Sequence, residues 1–245
     1  MIPPDYYFEM VRQVTQRKRD PEAVGAALRR YEDIMGSSTH WQRKTILLKK
    51  DMEGPAGGAD CISIPDFSRK APGRDDPFYI TAILRAMGSC NGTGEGMLWM
   101  ISDGRNDKML QDTAGFVARY IPVYLNPRNN SLRTVVRQIE CLKAYPELED
   151  TLYPMEGFFD MLHYNHVGRL EEQGEIEVLT ESFEDLRVFD VAPGILSIIL
   201  TDHPEDPGMD LYLYYSLNHY REESINRFLE RVCEELRLLE AEKRR

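Results

Sequence analysis

Apolar side chains recur every three or four positions in four stretches of the chain, and this spacing predicts amphipathic helices there. The stretches are Val24–Ile34, Tyr79–Met87, Leu132–Leu142 and Ile225–Leu239. Asp20 followed by Pro21 is typical of a helix start, because the aspartate accepts from free N–H groups and proline fits the first turn. A further helix is predicted over Tyr6–Gln16, with Asp5 before it as the N-cap.

Strand patterns fill the intervals between these helices. Strands are predicted at Cys61–Ile64, Met97–Ser102, Phe116–Leu125, Phe158–Asn165, Leu186–Val191, Gly194–Thr201 and Asp210–Leu217. The last two have the pattern of a hairpin around the turn sequence DHPEDPGM. Helices and strands interleave, but the late strands follow one another directly. This order favours an α/β two-layer sandwich, with a mixed β-sheet covered by helices, over a doubly wound parallel sheet.

The chain is predicted to form one domain over residues 1–245. Residues 1–50 carry the leading helices, and residues 51–76, rich in Gly, Pro and Asp, form an irregular crossing segment. The sandwich occupies 77–245. A domain boundary at the crossing segment is not expected, because the first helices are too small to form a core alone.

Composition narrows the possible partners. The 245 residues include 41 acidic and 30 basic side chains, for a formal net charge of −11. This balance argues against nucleic acid and against an anionic membrane surface, which both need clustered positive charge. No apolar run approaches the roughly 18–20 residues that span a bilayer. No secretory signal pattern and no CxxC spacing occur, so reduced thiols and a cytoplasmic location are expected.

Three polar features favour ordinary structure over chemistry. The loop Gly92–Gly96 follows a predicted helix and precedes a strand, the reverse of a dinucleotide-binding fingerprint, so it is interpreted as a turn. His163 and His166 lie three apart on a predicted strand, where side-chain alternation directs them to opposite faces, so no metal site is predicted. Cys90 has no strand leading into it, unlike a nucleophile elbow, and is interpreted as an ordinary thiol.

His219 is the strongest single candidate for catalysis. It follows the last predicted strand and precedes the last helix, within Asn218–Ser224. A histidine at such a junction can project into a cleft and act as a general base. The alternative is an exposed histidine in a polar stretch, and the residues by themselves favour that alternative.

A series of short segments runs in a recognisable order along the chain. The segments are Arg30–Asp33 with Trp41, the helix Ile80–Met87, Gly104-Arg105 followed by Gly115–Ala118, Ala144–Glu147, Phe158–Arg169 and the strand–turn–strand–helix ending over 194–239. Together they resemble the C-terminal half of the condensation domains of nonribosomal peptide synthetases, in the CoA-dependent acyltransferase superfamily. The resemblance covers nearly the whole chain from about residue 20 onward.

The resemblance implies a chloramphenicol-acetyltransferase-like fold, in which two such halves face each other across a tunnel. It implies an acyl-phosphopantetheine or acyl-CoA substrate. No bound cofactor and no metal are expected. The implied partners are a carrier protein or an N-terminal condensation half. Arg105, Gly115, Tyr164 and Asn165 are the residues that the resemblance assigns to the tunnel and structural motif.

The family's catalytic motif, HHxxxDG, is absent from this sequence. Asn218–Ser224 has its spacing, with His219 at the second histidine and Glu223 at the aspartate. Three hypotheses stay open. The preferred one is a tunnel wall and carrier-docking half that is inactive alone. The others are a self-sufficient acyltransferase, acting as a homo-oligomer with His219 as the general base, and a degenerate interaction domain without chemistry.

Overall fold

The structure is a computed structural model that describes residues 6–36, 48–54, 58–67, 75–102, 119–148, 152, 162–169, 196–203 and 208–244. Its helices are α1 (Tyr6–Lys18), α2 (Pro21–Met35), α3 (Asp76–Asn91), α4 (Leu132–Ala144) and α5 (Glu222–Lys243). Its strands are β1 (Ala59–Ile64), β2 (Gly96–Ser102), β3 (Arg119–Leu125), β4 (Leu162–Arg169), β5 (Leu196–Asp202) and β6 (Met209–Ser216). A short 3₁₀ turn, Pro146–Leu148, follows α4.

The helix starts follow simple capping chemistry. The Asp20 carboxylate accepts hydrogen bonds from the backbone N–H groups of Glu22 at 2.9 Å and Ala23 at 3.3 Å. At α4 the Ser131 hydroxyl accepts from the backbone N–H of Thr134 at 3.2 Å. Each cap satisfies donors that have no partner within the helix, so both helices begin where the sequence places a short polar side chain.

The six strands form one mixed sheet with the order β1-β6-β5-β4-β2-β3. Strands β2, β4 and β5 are parallel neighbours, while β3, β6 and β1 join antiparallel. The predicted hairpin is present as the antiparallel pair β5–β6. The α/β sandwich with a mixed sheet, predicted from the order of the patterns, is therefore confirmed.

One face of the sheet packs on the core. Along β5, Leu196, Ile198 and Leu200 are buried, while the side chains between them are half-buried. Helix α3 is buried on nearly every side, because it lies against β2 and β3 and also against α5. The sequence predicted only one apolar face for α3, since periodicity does not show that a second layer covers the other side.

The β3 edge of the sheet is closed by side chains. Gln138 of α4 accepts from the Tyr124 N–H at 3.0 Å and donates to the Tyr124 carbonyl at 2.7 Å. The Tyr31 hydroxyl donates to the Pro122 carbonyl at 3.0 Å, and Pro122 itself has no N–H to expose. These contacts occupy backbone groups that would otherwise be open to pairing with another strand.

Several predictions fall on residues outside this description. The predicted strand Leu186–Val191 lies there, as do the first parts of the predicted strands Phe116–Leu125 and Phe158–Asn165. The boundaries 1–50, 51–76 and 77–245 stay predictions. Among the helices of the described ranges, none combines the length and the apolar character that a bilayer-spanning segment needs.

Candidate functional site

Polar side chains gather at two opposite ends of the sheet. Because β4 and β5 are parallel, their carboxyl ends, including His166 and Asp202, lie at one end, together with the start of β6. The other end holds the exit of β6 and the junction with α5, where His219 lies. These two ends are called here the His166 end and the His219 end.

At the His219 end, the imidazole is buried, with only 4% of the residue exposed. Its Nε2 lies 3.0 Å from the carbonyl oxygen of Gly54, and its Nδ1 lies 3.1 Å from the Ser216 hydroxyl. A carbonyl oxygen only accepts, so Nε2 carries a proton and donates to Gly54. In the neutral ring, Nδ1 then accepts from Ser216, and both nitrogens are occupied by the chain's own groups.

The backbone at this junction is also hydrogen-bonded within the chain. The His219 carbonyl accepts from the N–H groups of Asp51, at 2.8 Å, and Met52, at 3.3 Å. The Asp51 carboxylate in turn accepts from the Arg221 N–H at 2.8 Å and from the Ser224 hydroxyl at 2.8 Å. Asp51 therefore supplies the N-terminal cap of α5 from a segment distant in sequence, because Arg221, at the N-cap position, makes no side-chain cap.

These contacts define what His219 can do chemically. A general base needs a free ring nitrogen within hydrogen-bond reach of the proton that it removes. Here the ring joins the crossing segment to the strand–helix junction, and Glu223 is exposed in the first turn of α5. The arrangement favours a positioning role for His219, and the catalytic assignment of His219 and Glu223 stays a prediction.

The His166 end holds a denser set of ionisable groups. His166 Nδ1 lies 2.7 Å from the Asp76 carboxylate, and its Nε2 lies 3.0 Å from the Asp202 carboxylate. The hydroxyl of Tyr164, which is fully buried, donates to the same Asp76 oxygen at 2.8 Å. The cluster thus joins the first residue of α3 to the ends of β4 and β5.

The environment shifts the ionisation of these groups. The hydrogen bond to Asp76 raises the pKa of His166 to about 9, against the opposing effect of burial and with further support from Asp202. Burial raises the pKa of Asp76, but hydrogen bonds from His166 and Tyr164 outweigh it, so its pKa lies below the ordinary value. Burial, followed by the charge of Asp76, raises the pKa of Tyr164 well above its ordinary value. At neutral pH the cluster holds a charged histidine and a charged carboxylate.

A second histidine–aspartate pair lies at the same end of the sheet. His203 Nε2 lies 2.8 Å from the Asp210 carboxylate, which also accepts from the Asp66 N–H at 2.8 Å. The other ring nitrogen of His203 is 4.0 Å from the Asp66 carboxylate. Within the described ranges, no group of three or more His, Cys, Asp or Glu side chains is arranged to hold a metal ion.

The predicted tunnel residues are only partly placed. Tyr164 belongs to the His166 cluster, and Asn165 is its half-buried neighbour on β4, directed by strand alternation to the other face. Arg105 and Gly115 lie outside the described residues. The partners of His166, Asp76 and Asp202, are not among the candidates predicted from the sequence. Strand alternation places Tyr164 and His166 on one face, but the sequence alone did not show which acidic groups that face meets.

Comparisons with solved structures identify the fold. The first condensation domain of the CDA synthetase matches with a TM-score of 0.58 and 14% identity, over 93% of this chain and 53% of that one. The epimerization domain from the third module of tyrocidine synthetase B matches with a TM-score of 0.52 and 15% identity, over 87% and 57%. The PapA2 acyl transferase matches with a TM-score of 0.52 and 10% identity, over 87% and 51%.

These likenesses concern architecture. This chain spans about half the length of each of the three structures. No protein-family model matches the sequence, and no curated protein matches it either. The chain therefore has the fold of one half of a condensation-type domain, and the resemblance inferred from the sequence is confirmed at the level of the fold.

Proposed function

We propose that this chain is the second half of a condensation-type acyltransferase and forms one wall of a tunnel for acyl or peptidyl groups. The groups would arrive as thioesters of phosphopantetheine on a carrier protein or of CoA, in the cytoplasm. The chemistry of the HHxxxDG motif would belong to an N-terminal condensation half. The fold and the half-length match to a condensation domain, an epimerization domain and an acyl transferase support an acyl-transfer setting.

The observation that carries the non-catalytic assignment is the bonding of His219. It stands where the sequence has the spacing of the catalytic motif, yet both ring nitrogens are bonded within the chain. Removing a proton from a substrate amine would require breaking one of these bonds and opening a buried site. A positioning histidine fits this geometry without any rearrangement.

The first test combines solution mass with activity of the chain alone. Light scattering during gel filtration should give a mass near 28.4 kDa, the mass of one chain. Acetyl-CoA or acetyl-pantetheine, offered with an amine acceptor, should give no turnover by the chain alone. Turnover that falls by about 10²-fold or more in His219→Gln, the usual scale of a general base, would overturn the proposal. A homo-oligomer with that activity would establish the self-sufficient acyltransferase instead.

A second test asks whether the fold still serves acyl transfer. An acyl-loaded phosphopantetheinyl carrier domain should bind this chain more tightly than the same carrier without its phosphopantetheine arm. His219→Gln should bind as wild type does, provided that its circular dichroism is unchanged. Equal and negligible binding of both carrier forms would contradict the proposal and favour the degenerate interaction domain.

A further inference from the structure

His166 lies between two carboxylates that belong to different elements. On one side is Asp76, the first residue of α3, at 2.7 Å from Nδ1. On the other side is Asp202, the last residue of β5, at 3.0 Å from Nε2. A single imidazole thus connects the start of a core helix to the ends of two parallel strands.

The two bonds together require a protonated ring. A neutral imidazole carries one N–H, and its other nitrogen has a lone pair that accepts hydrogen bonds. An ionised carboxylate has no proton to donate, so a neutral His166 could bond one aspartate and would set its lone pair against the other. Only the imidazolium donates to both carboxylates at once.

The surrounding charges support this state of the ring. The titratable or charged groups that act on His166 or Asp76 are Tyr164 on β4, Asp202 on β5 and Lys143 on α4, while Asp75 and Tyr79, before and on α3, act on Tyr164. Among them, Lys143 is the only cation, and its charge lowers the pKa of Asp76. Within this described set, His166 is therefore the cation that lies between Asp76 and Asp202.

We propose that His166 is a proton-dependent latch that holds the first turn of α3 against the carboxyl ends of β4 and β5. With the proton in place, the latch is closed. When the proton leaves, one carboxylate bond is lost and that carboxylate faces a lone pair. The first turn of α3 stays bonded to β4 through Tyr164 and Asp76, but it opens from the strand ends more often. The rest of the sheet, held by its backbone ladder and apolar core, stays intact.

His203 provides the internal comparison. It lies at the same end of the sheet, and of the two described carboxylates near its ring, Asp210 is within hydrogen-bond distance at 2.8 Å while Asp66 is farther away at 4.0 Å. A neutral ring can make the bond to Asp210. His203→Gln is thus a matched control for His166→Gln.

The first arm of the test measures the protonation of the His166 ring in the wild-type protein. Long-range proton–nitrogen NMR spectra of the histidine rings, recorded from pH 6 to pH 10.5, should show both His166 nitrogens protonated at pH 7. They should show the ring titrating with a pKa of about 9, well above the ordinary histidine value of 6.5. Titration near 6.5, or a ring with one bare nitrogen at pH 7, would overturn the proposal. Asp76→Asn should move this titration toward the ordinary value.

The second arm measures the opening itself. The backbone N–H groups of Phe78 and Tyr79 bond to the Asp75 carbonyl at the start of α3, so their pulsed hydrogen exchange reports on the first turn. After correction for intrinsic exchange, their protection should fall about 10-fold or more between pH 7 and pH 10 in the wild type and in His203→Gln. In His166→Gln, protection should already be low at pH 7 and should not depend on pH. A wild-type-like fall in His166→Gln would contradict the latch.

Discussion

The imidazole of His219 and the backbone of Gly54 are joined by a hydrogen bond of 3.0 Å that spans 165 positions of sequence. The bond connects the segment before β1 to the junction between β6 and α5. The same segment supplies Asp51, which caps α5. The residues that have the spacing of a catalytic motif therefore form a structural joint in this chain.

Replacing His219 with alanine should destabilise the protein by about 1–3 kcal/mol, because it removes a buried side chain with two hydrogen bonds, to the Gly54 carbonyl and the Ser216 hydroxyl, each worth about 0.5–1.5 kcal/mol. Urea unfolding followed by circular dichroism measures the change. Asn226→Ala, an exposed change on the neighbouring helix, should stay within about 0.5 kcal/mol and serves as the control. A His219→Ala variant as stable as the control would mean that the hydrogen bonds of His219 contribute nothing to the stability of the fold.

Asp51→Ala should cost about 0.5–2 kcal/mol, the usual range for the loss of a helix N-cap. The Arg221 N–H and the Ser224 hydroxyl would lose their acceptor, while the apolar core stays unchanged. Hydrogen exchange at the first turn of α5 should quicken more than exchange at its centre. Asp51→Asn, which keeps an acceptor oxygen, should recover part of the loss, and equal losses in both variants would argue against a capping role.

Gly25 and Gly88 should respond in opposite directions to alanine. Both lie inside helices, where alanine is preferred over glycine by about 1 kcal/mol. Among the described residues, a Cβ on Gly25 would meet only the end of the Arg29 side chain, at 3.5 Å, so Gly25→Ala should stabilise by about 0.5–1 kcal/mol. A Cβ on Gly88 would lie 2.6 Å from the Gly94 backbone, so Gly88→Ala should destabilise by about 1–3 kcal/mol. Thermal unfolding of the two variants shows whether each substitution raises or lowers the melting temperature.

Much of the fold follows from local chemistry that the sequence displays. The structure confirms the predicted start of α2 at Asp20-Pro21 and the predicted apolar period of α4, since caps and periodicity are properties of neighbouring residues. The hairpin β5–β6 was also predicted, because its turn residues lie between two alternating strands. The mixed sheet followed from the order of these elements.

The polar clusters were beyond such reasoning because they depend on sheet order. Asp76 meets His166 only because α3 starts at the end of the sheet where β4 and β5 finish, 90 positions apart. Gln138 meets Tyr124 only because β3 is an edge strand. The sequence predicts an exposed or a catalytic His219, whereas the burial of this residue depends on a segment far away in sequence.

Gln138→Ala should destabilise the protein by at least about 2 kcal/mol and promote self-association. The change removes the partners of the buried Tyr124 N–H and carbonyl, and each unpaired buried group costs about 1–3 kcal/mol. It also opens the β3 edge to pairing with another chain. Urea unfolding and light scattering at rising concentration measure the two effects. Glu140→Ala, an exposed change on the same helix, should alter neither.

Acidification should unfold the wild type partly through Asp76. Its pKa is lowered in the folded protein from an ordinary value of 3.8, so the folded state binds this proton less readily than the unfolded chain. The carboxylate therefore contributes stability that is fully present above pH 3.8 and is lost as the pH falls through the lower folded value. Asp76→Asn should be less stable than wild type at pH 6 and should lose less of its remaining stability between pH 5 and pH 3. The midpoint of urea unfolding, measured across that pH range, gives the dependence of stability on pH, and the exposed Asp33→Asn serves as the control. Identical slopes for Asp76→Asn and the wild type would show that Asp76 carries no part of the acid response.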